Sequence, residues 1–135
     1  MKFNGVIENK LRIIEGKVAD IESWNITSYV AFESNSLVQN AVERALQVAV
    51  EAMIDCSERI LSQLKVPPAA TGAENFIALQ KHDIIADANI YKDMVRFRNF
   101  IVHRYEQIDP KIVYSIVKRK LFLFTKFVDE IRRTS

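Results

Sequence analysis

The strongest constraint on the fold is the apolar pattern between residues 36 and 64. Apolar residues recur there at steps of three and four, which is the spacing of one face of an α-helix. Further small apolar residues widen this stripe, so the predicted helix has close neighbours on two sides. Ser36 and Gln39 resemble a capping box at its start, in which each side chain pairs with a free backbone N–H. The main stripe consists of Val38, Val42, Ala45, Leu46, Ala49, Met53, Cys56 and Ile60.

The remaining apolar residues indicate further helices before and after this one. Residues 25–35 are polar and predict a connection with one short helical turn. Pro67 and Pro68 end the long helix, because proline lacks a backbone donor and disfavours the α conformation before it. Asp109 is predicted to cap the last helix and Pro110 to be its first residue. The predicted helices cover residues 3–24, 36–64 and 73–81, a segment from about residue 86, and a segment from residue 110.

The composition is that of a folded, helix-rich chain. Hydrophobic residues make up 49% and charged residues 27%, with only three Gly and three Pro in 135 residues. A chain of this length is expected to form one core, so we predict a single domain over residues 1–135. The predicted fold class is all-α, an up-and-down bundle of four or five helices.

Other features of the sequence bear on location and cofactors. No apolar run reaches the roughly 18 residues that span a bilayer, and the first residues lack the apolar core of a signal peptide. Cys56 is the single cysteine, so no internal disulfide forms, and its place on the buried stripe predicts an inert thiol. Cys/His clusters of the zinc-binding kind are absent from the sequence, and no cofactor is predicted. We therefore expect a cytoplasmic protein without a membrane partner.

Charge is unevenly divided between the two halves of the chain. Residues 1–68 carry seven Lys/Arg and nine Asp/Glu, a balance of −2, whereas residues 69–135 carry twelve and eight, a balance of +4. The basic half is compatible with a polyanionic partner such as nucleic acid. Ordinary solvated helix faces explain it equally well.

The segment 97–105 gathers more usable chemistry than any other part of the chain. Arg98, Asn99, His103 and Tyr105 supply a guanidinium, a carboxamide, an imidazole and a phenol. Arg98 and His103 are five residues apart, which is about 140° around a regular helix. They therefore share a face only if the helix ends or distorts near His103. The alternative interpretation is a purely structural pair near a helix C-terminus.

This segment resembles a known family. Arg98-x4-His103-x-Tyr105 is similar to the Arg-x4-His-x-Tyr signature of the HepT toxins, a branch of the HEPN superfamily, and residues 41–54 and 108–113 resemble HepT in the same order. The resemblance implies a homodimer with a shared cleft that acts as a metal-independent endoribonuclease toxin. It also implies an MntA-type nucleotidyltransferase antitoxin, which silences the toxin by transferring AMP to Tyr105.

Arg104 departs from the family pattern, in which a small residue is common between the histidine and the tyrosine. A third cation at this position could strengthen RNA binding, or it could narrow access to Tyr105. Both interpretations stay open at the level of the sequence.

Metal-free RNA cleavage needs a base for the 2′-OH proton, an acid for the leaving oxygen, and positive charge at the phosphate. His103 suits the proton transfers, because an imidazole pKa of ~6.5 populates both forms near neutrality. Arg98 suits the phosphate, and Asn99 is expected to assist by binding RNA or orienting the other groups. A dimer supplies the second imidazole. The alternative function is a non-catalytic nucleotide-binding partner of a minimal nucleotidyltransferase.

Overall fold

The structure is a computed structural model that describes residues 5–67, 69–102 and 108–134. Within these ranges the chain forms seven α-helices and one 3₁₀ helix, with no β-strand. The all-α prediction is therefore confirmed, although the helices are more numerous than the four or five expected. The helices are α1 (Gly5–Ser23), α2 (Tyr29–Glu33), α3 (Ser36–Gln63), α4 (Gly72–Lys81), the 3₁₀ helix (Ala88–Tyr91), α5 (Lys92–Val102), α6 (Pro110–Arg119) and α7 (Leu121–Thr134).

Helix α3 is the centre of the fold, as its broad apolar stripe predicts. Its 28 residues contact α1, α2, α4, α5 and α6. Each helix contributes side chains to one hydrophobic cluster, which explains why an alanine-rich face is needed where several helices approach closely. Buried residues of α3 include Val42, Ala45, Leu46, Ala49, Met53, Cys56 and Ile60.

The first and last helices are joined at the surface by an ion-pair network. Arg132 of α7 places one guanidinium nitrogen 2.6 Å from Glu8 and 2.8 Å from Glu15, both on α1. The same two helices pack their apolar faces together. In the sequence, Arg132 lies 124 positions after Glu8 and 117 positions after Glu15, so the network joins the two ends of the described chain.

The predicted capping box of α3 is wrong in its register. Asn35 is the N-cap, and its side-chain oxygen accepts a hydrogen bond from the Val38 N–H at 3.1 Å. Ser36 is already the first helical residue. Gln39 is buried and donates to the backbone oxygens of Phe32 and Glu33, so it ties α2 to α3 instead of closing a box.

The single last helix that the sequence predicts is divided at Lys120. The backbone there leaves the helical region (φ −125°, ψ −1°), and the Lys120 N–H donates to the oxygen of Ile116. The break allows α6 to pack against α2 and α3 while α7 packs against α1. The Lys120 ammonium in turn bonds Asp93 of α5. At the start of α6, Asp109 is the N-cap, and its carboxylate accepts a hydrogen bond from the Lys111 N–H at 2.9 Å. Pro110 is the first helical residue, so both predictions are confirmed.

The helix predicted from about residue 86 begins later than expected. The backbone N–H groups of Ala86 and Ala88 donate to the side chains of Glu130 (2.8 Å) and Gln80 (2.7 Å). Asp87 between them is extended and caps the 3₁₀ helix. These side chains satisfy the donors outside a helix, so regular α structure starts only at Lys92. No helix in the described part of the chain is long and apolar enough to cross a bilayer.

Candidate active site

Helix α5 carries the first two residues of the predicted site. Met94, Val95 and Phe97 are buried and fix one face of the helix against the core. Arg96 and Asn99 lie on the opposite, exposed face. The helix therefore presents polar side chains to solvent from a rigid element.

Arg98 lies at the edge of the buried face of α5, four residues after Met94. Its side chain is half-buried, and its Nε is shielded from solvent. Within the described part of the chain this nitrogen has no hydrogen-bond partner. A buried donor left unpaired costs about 1–3 kcal/mol. The position therefore suits an acceptor oxygen supplied from elsewhere.

Asn99 is exposed and adjoins Arg98 in sequence, so the two side chains leave α5 about 100° apart. The structure thus places the carboxamide on the solvent face and the guanidinium at the core edge. His103, Arg104 and Tyr105 lie outside the described residues, which end in this region at Val102. The predicted approach of Arg98 and His103 stays a prediction.

Two grooves run along the exposed face of α5, and Arg96 lines both. The larger lies between α5 and α6 and encloses about 430 Å³, with Phe97, Phe100 and Ile112 among its apolar lining residues. The smaller lies between α4, the 3₁₀ helix and α5 and encloses about 280 Å³. Asn99 lines the smaller groove together with Lys92.

Asp93 is the acidic residue of the larger groove, and it is already paired. Its carboxylate accepts a hydrogen bond from Lys120 and lies 3.5 Å from the Arg96 guanidinium. The Lys120 hydrogen bond holds the pKa of Asp93 below its ordinary value. Because Lys120 is also at the junction of α6 and α7, this contact links α5 to that junction.

Sequence reasoning missed the buried pair that positions the start of α5. The Tyr91 hydroxyl donates to Glu130, and both residues are buried. Burial, followed by this hydrogen bond, raises the pKa of Tyr91 above its ordinary value. The signal in the sequence was a glutamate three residues after Phe127 on the apolar side of α7, where a carboxylate needs a partner. The described residues contain no group of three or more His, Cys, Asp or Glu placed to hold a metal.

Comparison with known proteins identifies the family. A family model described as Ribonuclease HepT-like matches residues 14–131. The chain belongs to this family. The resemblance found in the Arg98–Tyr105 segment and the assignment to ribonucleases are thereby confirmed.

Two curated proteins of the HepT family are similar over nearly the whole chain. The tRNA nuclease HepT of Aphanizomenon flos-aquae is 30% identical over 128 residues, covering 93% of this chain and 87% of that protein. The mRNA nuclease HepT of Shewanella oneidensis is 28% identical over 132 residues, covering 96% and 98%. HepT relatives of this similarity are thus described as nucleases of two different RNA classes.

Solved structures give the same result at the level of the fold. The tri-AMPylated Shewanella oneidensis HEPN toxin, solved in complex with an MNT antitoxin, has a TM-score of 0.87 at 27% identity, with 97% of this chain and 99% of that chain covered. The cytosolic protein YutE of Bacillus subtilis, of unknown function, has a TM-score of 0.82 at 16% identity, covering 95% and 87%, and supports the fold alone. The HepT-like chain therefore has the fold of a toxin solved together with its antitoxin.

Proposed function

We propose that this HepT-like chain is an endoribonuclease toxin that cleaves RNA without a metal at a composite site in a homodimer. Arg98 carries the proposal: it occupies the arginine position of the family signature, and its buried Nε is unpaired among the described residues. An ionised donor held in this way suits a phosphate oxygen. We further propose that the reaction takes place in the cytoplasm and that residues 1–135 act as one domain.

The proposed reaction starts with attack of the RNA 2′-oxygen on the adjacent phosphorus. The His103 imidazole of one protomer takes the proton of the 2′-OH as the new O–P bond forms. The bond from phosphorus to the 5′-oxygen breaks, and the imidazolium of the second protomer protonates that oxygen. Two copies are needed because one imidazole cannot accept and donate a proton in the same step.

Arg98 stabilises the charge that develops on the phosphorus oxygens during this attack, since its donors fit two oxygens at once. Asn99 is exposed beside it and contacts the RNA or orients the reacting groups. Arg104 adds a further cation for RNA binding.

Tyr105 is the proposed site of control by a nucleotidyltransferase antitoxin of the MntA type. In this step the phenol oxygen forms a bond to the α-phosphorus of ATP, the bond to the β-phosphate breaks, and pyrophosphate leaves. The phenol proton passes to solvent. The added adenylate carries negative charge and bulk beside the phosphate site, so it repels and excludes RNA. The similar Shewanella toxin, described as tri-AMPylated and bound to its antitoxin, supports this proposal.

Cleavage of a mixed RNA pool in EDTA tests the proposal. The unmodified protein is compared with His103→Ala and Arg98→Ala, and the dimeric state of each is measured in the same buffer. Arg12→Ala is the control, because Arg12 is an exposed arginine on α1 and lines neither groove beside α5. We expect all four proteins to be dimers. The unmodified protein and Arg12→Ala should cleave the RNA, whereas His103→Ala and Arg98→Ala should not.

Absence of cleavage by a dimeric, unmodified protein would overturn the nuclease proposal. The non-catalytic nucleotide-binding partner is then the better account, and it predicts that ATP analogues bind the complex with the antitoxin while RNA remains intact.

A further inference from the structure

We propose that the smaller groove, between α4, the 3₁₀ helix and α5, binds the RNA strand next to the cleaved bond, with Lys92 and Arg96 as its phosphate-binding residues. The proposal rests on the ribonuclease function proposed above and names where the substrate continues beyond the signature residues. Neither Lys92 nor Arg96 belongs to the Arg-x4-His-x-Tyr pattern.

The first argument is the register of α5. Lys92, Arg96 and Asn99 are spaced by four and three residues, so they form one line along the helix surface. The line is about 10 Å long at 1.5 Å per residue. All three side chains line the smaller groove. Because Asn99 adjoins Arg98, a strand that follows this line from the phosphate at Arg98 passes Asn99 first and then the two cations.

The second argument is charge. Among the described residues that line the smaller groove, two are cations and none is a carboxylate. The nearest acid to Arg96 is Asp93, which lines the other groove and is held by Lys120. Because Lys120 already neutralises Asp93, the Arg96 guanidinium is left with a weak contact at 3.5 Å and a side chain 73% exposed. The lining of the smaller groove thus carries two exposed cations and no carboxylate, and this positive charge attracts a polyanion.

The third argument is the apolar side of the groove. Ile77 of α4 is 49% exposed and lines the groove, and the buried side chains of Phe76 and Val95 lie behind it. Single-stranded RNA exposes the flat faces of its bases, which pack against apolar and aromatic surfaces while the phosphates meet cations. The smaller groove offers both surfaces: its apolar side on α4 suits the bases, and its cations on α5 suit the phosphates.

The larger groove between α5 and α6 does not fit RNA as well. Asn99 does not line it, so it is not continuous with the signature residues on α5. Arg96, Lys111 and Lys120 line it, but the Lys120 ammonium is paired with the Asp93 carboxylate inside the groove. RNA is therefore assigned to the smaller groove.

The test compares Lys92→Ala, Arg96→Ala and the double variant with Arg12→Ala. Arg12 is a closely matched control: it is a helix-surface arginine with a side chain 71% exposed and a carboxylate, Glu8, one turn earlier at 3.8 Å. Binding of a fluorescein-labelled single-stranded RNA of mixed sequence is measured in a His103→Ala background at several salt concentrations. Cleavage of the same RNA is measured with His103 present.

Each groove substitution is expected to raise KM and the RNA dissociation constant about fivefold, the upper end for one exposed charge pair, with kcat unchanged. The slope of log affinity against log salt should fall by ~0.7 for each cation removed from a single-strand contact. Arg12→Ala is expected to leave all of these values within twofold of the parent.

Three results would overturn the groove assignment while leaving the nuclease intact. They are an unchanged KM and salt slope in Arg96→Ala, an equal change in Arg12→Ala, and loss of the dimer in Arg96→Ala. The last would make the groove a contact between two copies of the chain. If the parent binds RNA with the expected dependence on Lys92 and Arg96 but cleaves nothing, the groove stands and the proposed reaction fails.

Discussion

The phenol of Tyr91 donates a hydrogen bond to the carboxylate of Glu130, which lies 39 residues later in the chain. The second oxygen of Glu130 accepts from the Ala86 N–H at 2.8 Å. One buried carboxylate thus holds both ends of the segment that leads into α5. Glu130 of α7, which is not part of the signature, therefore helps to position α5, the helix that carries Arg98.

Tyr91→Phe should destabilise the protein by about 1.5–3 kcal/mol, because it removes a hydrogen bond to a buried charged group. Urea denaturation monitored by circular dichroism measures the change. Tyr114→Phe is the control: that hydroxyl makes no hydrogen bond to any described residue, so its removal should change the free energy of unfolding by less than about 0.5 kcal/mol. Equal unfolding midpoints for the two variants would show that the Tyr91 contact contributes nothing.

The network around Arg132 predicts a dependence of stability on pH. The hydrogen bond from Arg132 lowers the pKa of Glu15 below its ordinary value of 4.5. A carboxyl group with a lowered folded-state pKa stabilises the fold above the unfolded value, and this contribution is lost as pH falls through the folded value. The unfolding free energy of the parent minus that of Arg132→Met should therefore be constant above pH 5 and shrink below pH 4.5.

The difference in unfolding free energy between the parent and Arg132→Met should be small, because solvent screens the partly exposed ion pair. The side chains of Arg132 and Glu15 are 35% and 47% exposed, so the network should contribute no more than about 1 kcal/mol at neutral pH. Arg119→Met is the control, since Arg119 is exposed and has no ion pair with a described residue. A difference that stays constant down to pH 3 would contradict the assignment to Glu15.

Cys56 should be unreactive toward thiol reagents in the folded protein. Its side chain is fully buried in α3, and burial raises the pKa of the thiol to about 12. Modification by an aromatic disulfide reagent should proceed only through unfolding, so its rate should rise steeply with urea. Fast stoichiometric modification without denaturant would show that α3 opens locally.

The sequence predicted the parts of this molecule that follow from regular spacing. The stripe of α3 and the Asp109–Pro110 start of α6 are local patterns, and the structure confirms both. The break at Lys120 was not predictable, because it depends on packing of α6 and α7 against different helices and on a contact with Asp93. The Asn35 cap was missed for a similar reason: Gln39 pairs with α2, a contact that depends on how α2 and α3 meet.

The candidate site shows the same division. Arg98 and Asn99 were singled out by a motif, whereas the grooves beside them depend on which helices pack against α5. Lys92 and Arg96 look like ordinary solvated residues in the sequence. Only the position of α4 and the pairing of Asp93 with Lys120 distinguish them from other surface cations.

Arg98→Met separates a catalytic role from a structural one. The substitution keeps the apolar stem and removes the buried, unpaired Nε, so the urea midpoint should stay the same or rise. Loss of phosphate stabilisation should lower kcat for RNA by about 10²–10³. Arg132→Met is the opposite case: we expect lower stability and full cleavage, because its guanidinium bonds Glu8 and Glu15 of α1 and lines neither groove beside α5. If Arg98→Met were to unfold more easily in proportion to its loss of activity, Arg98 would be a structural residue and the phosphate site would lie elsewhere.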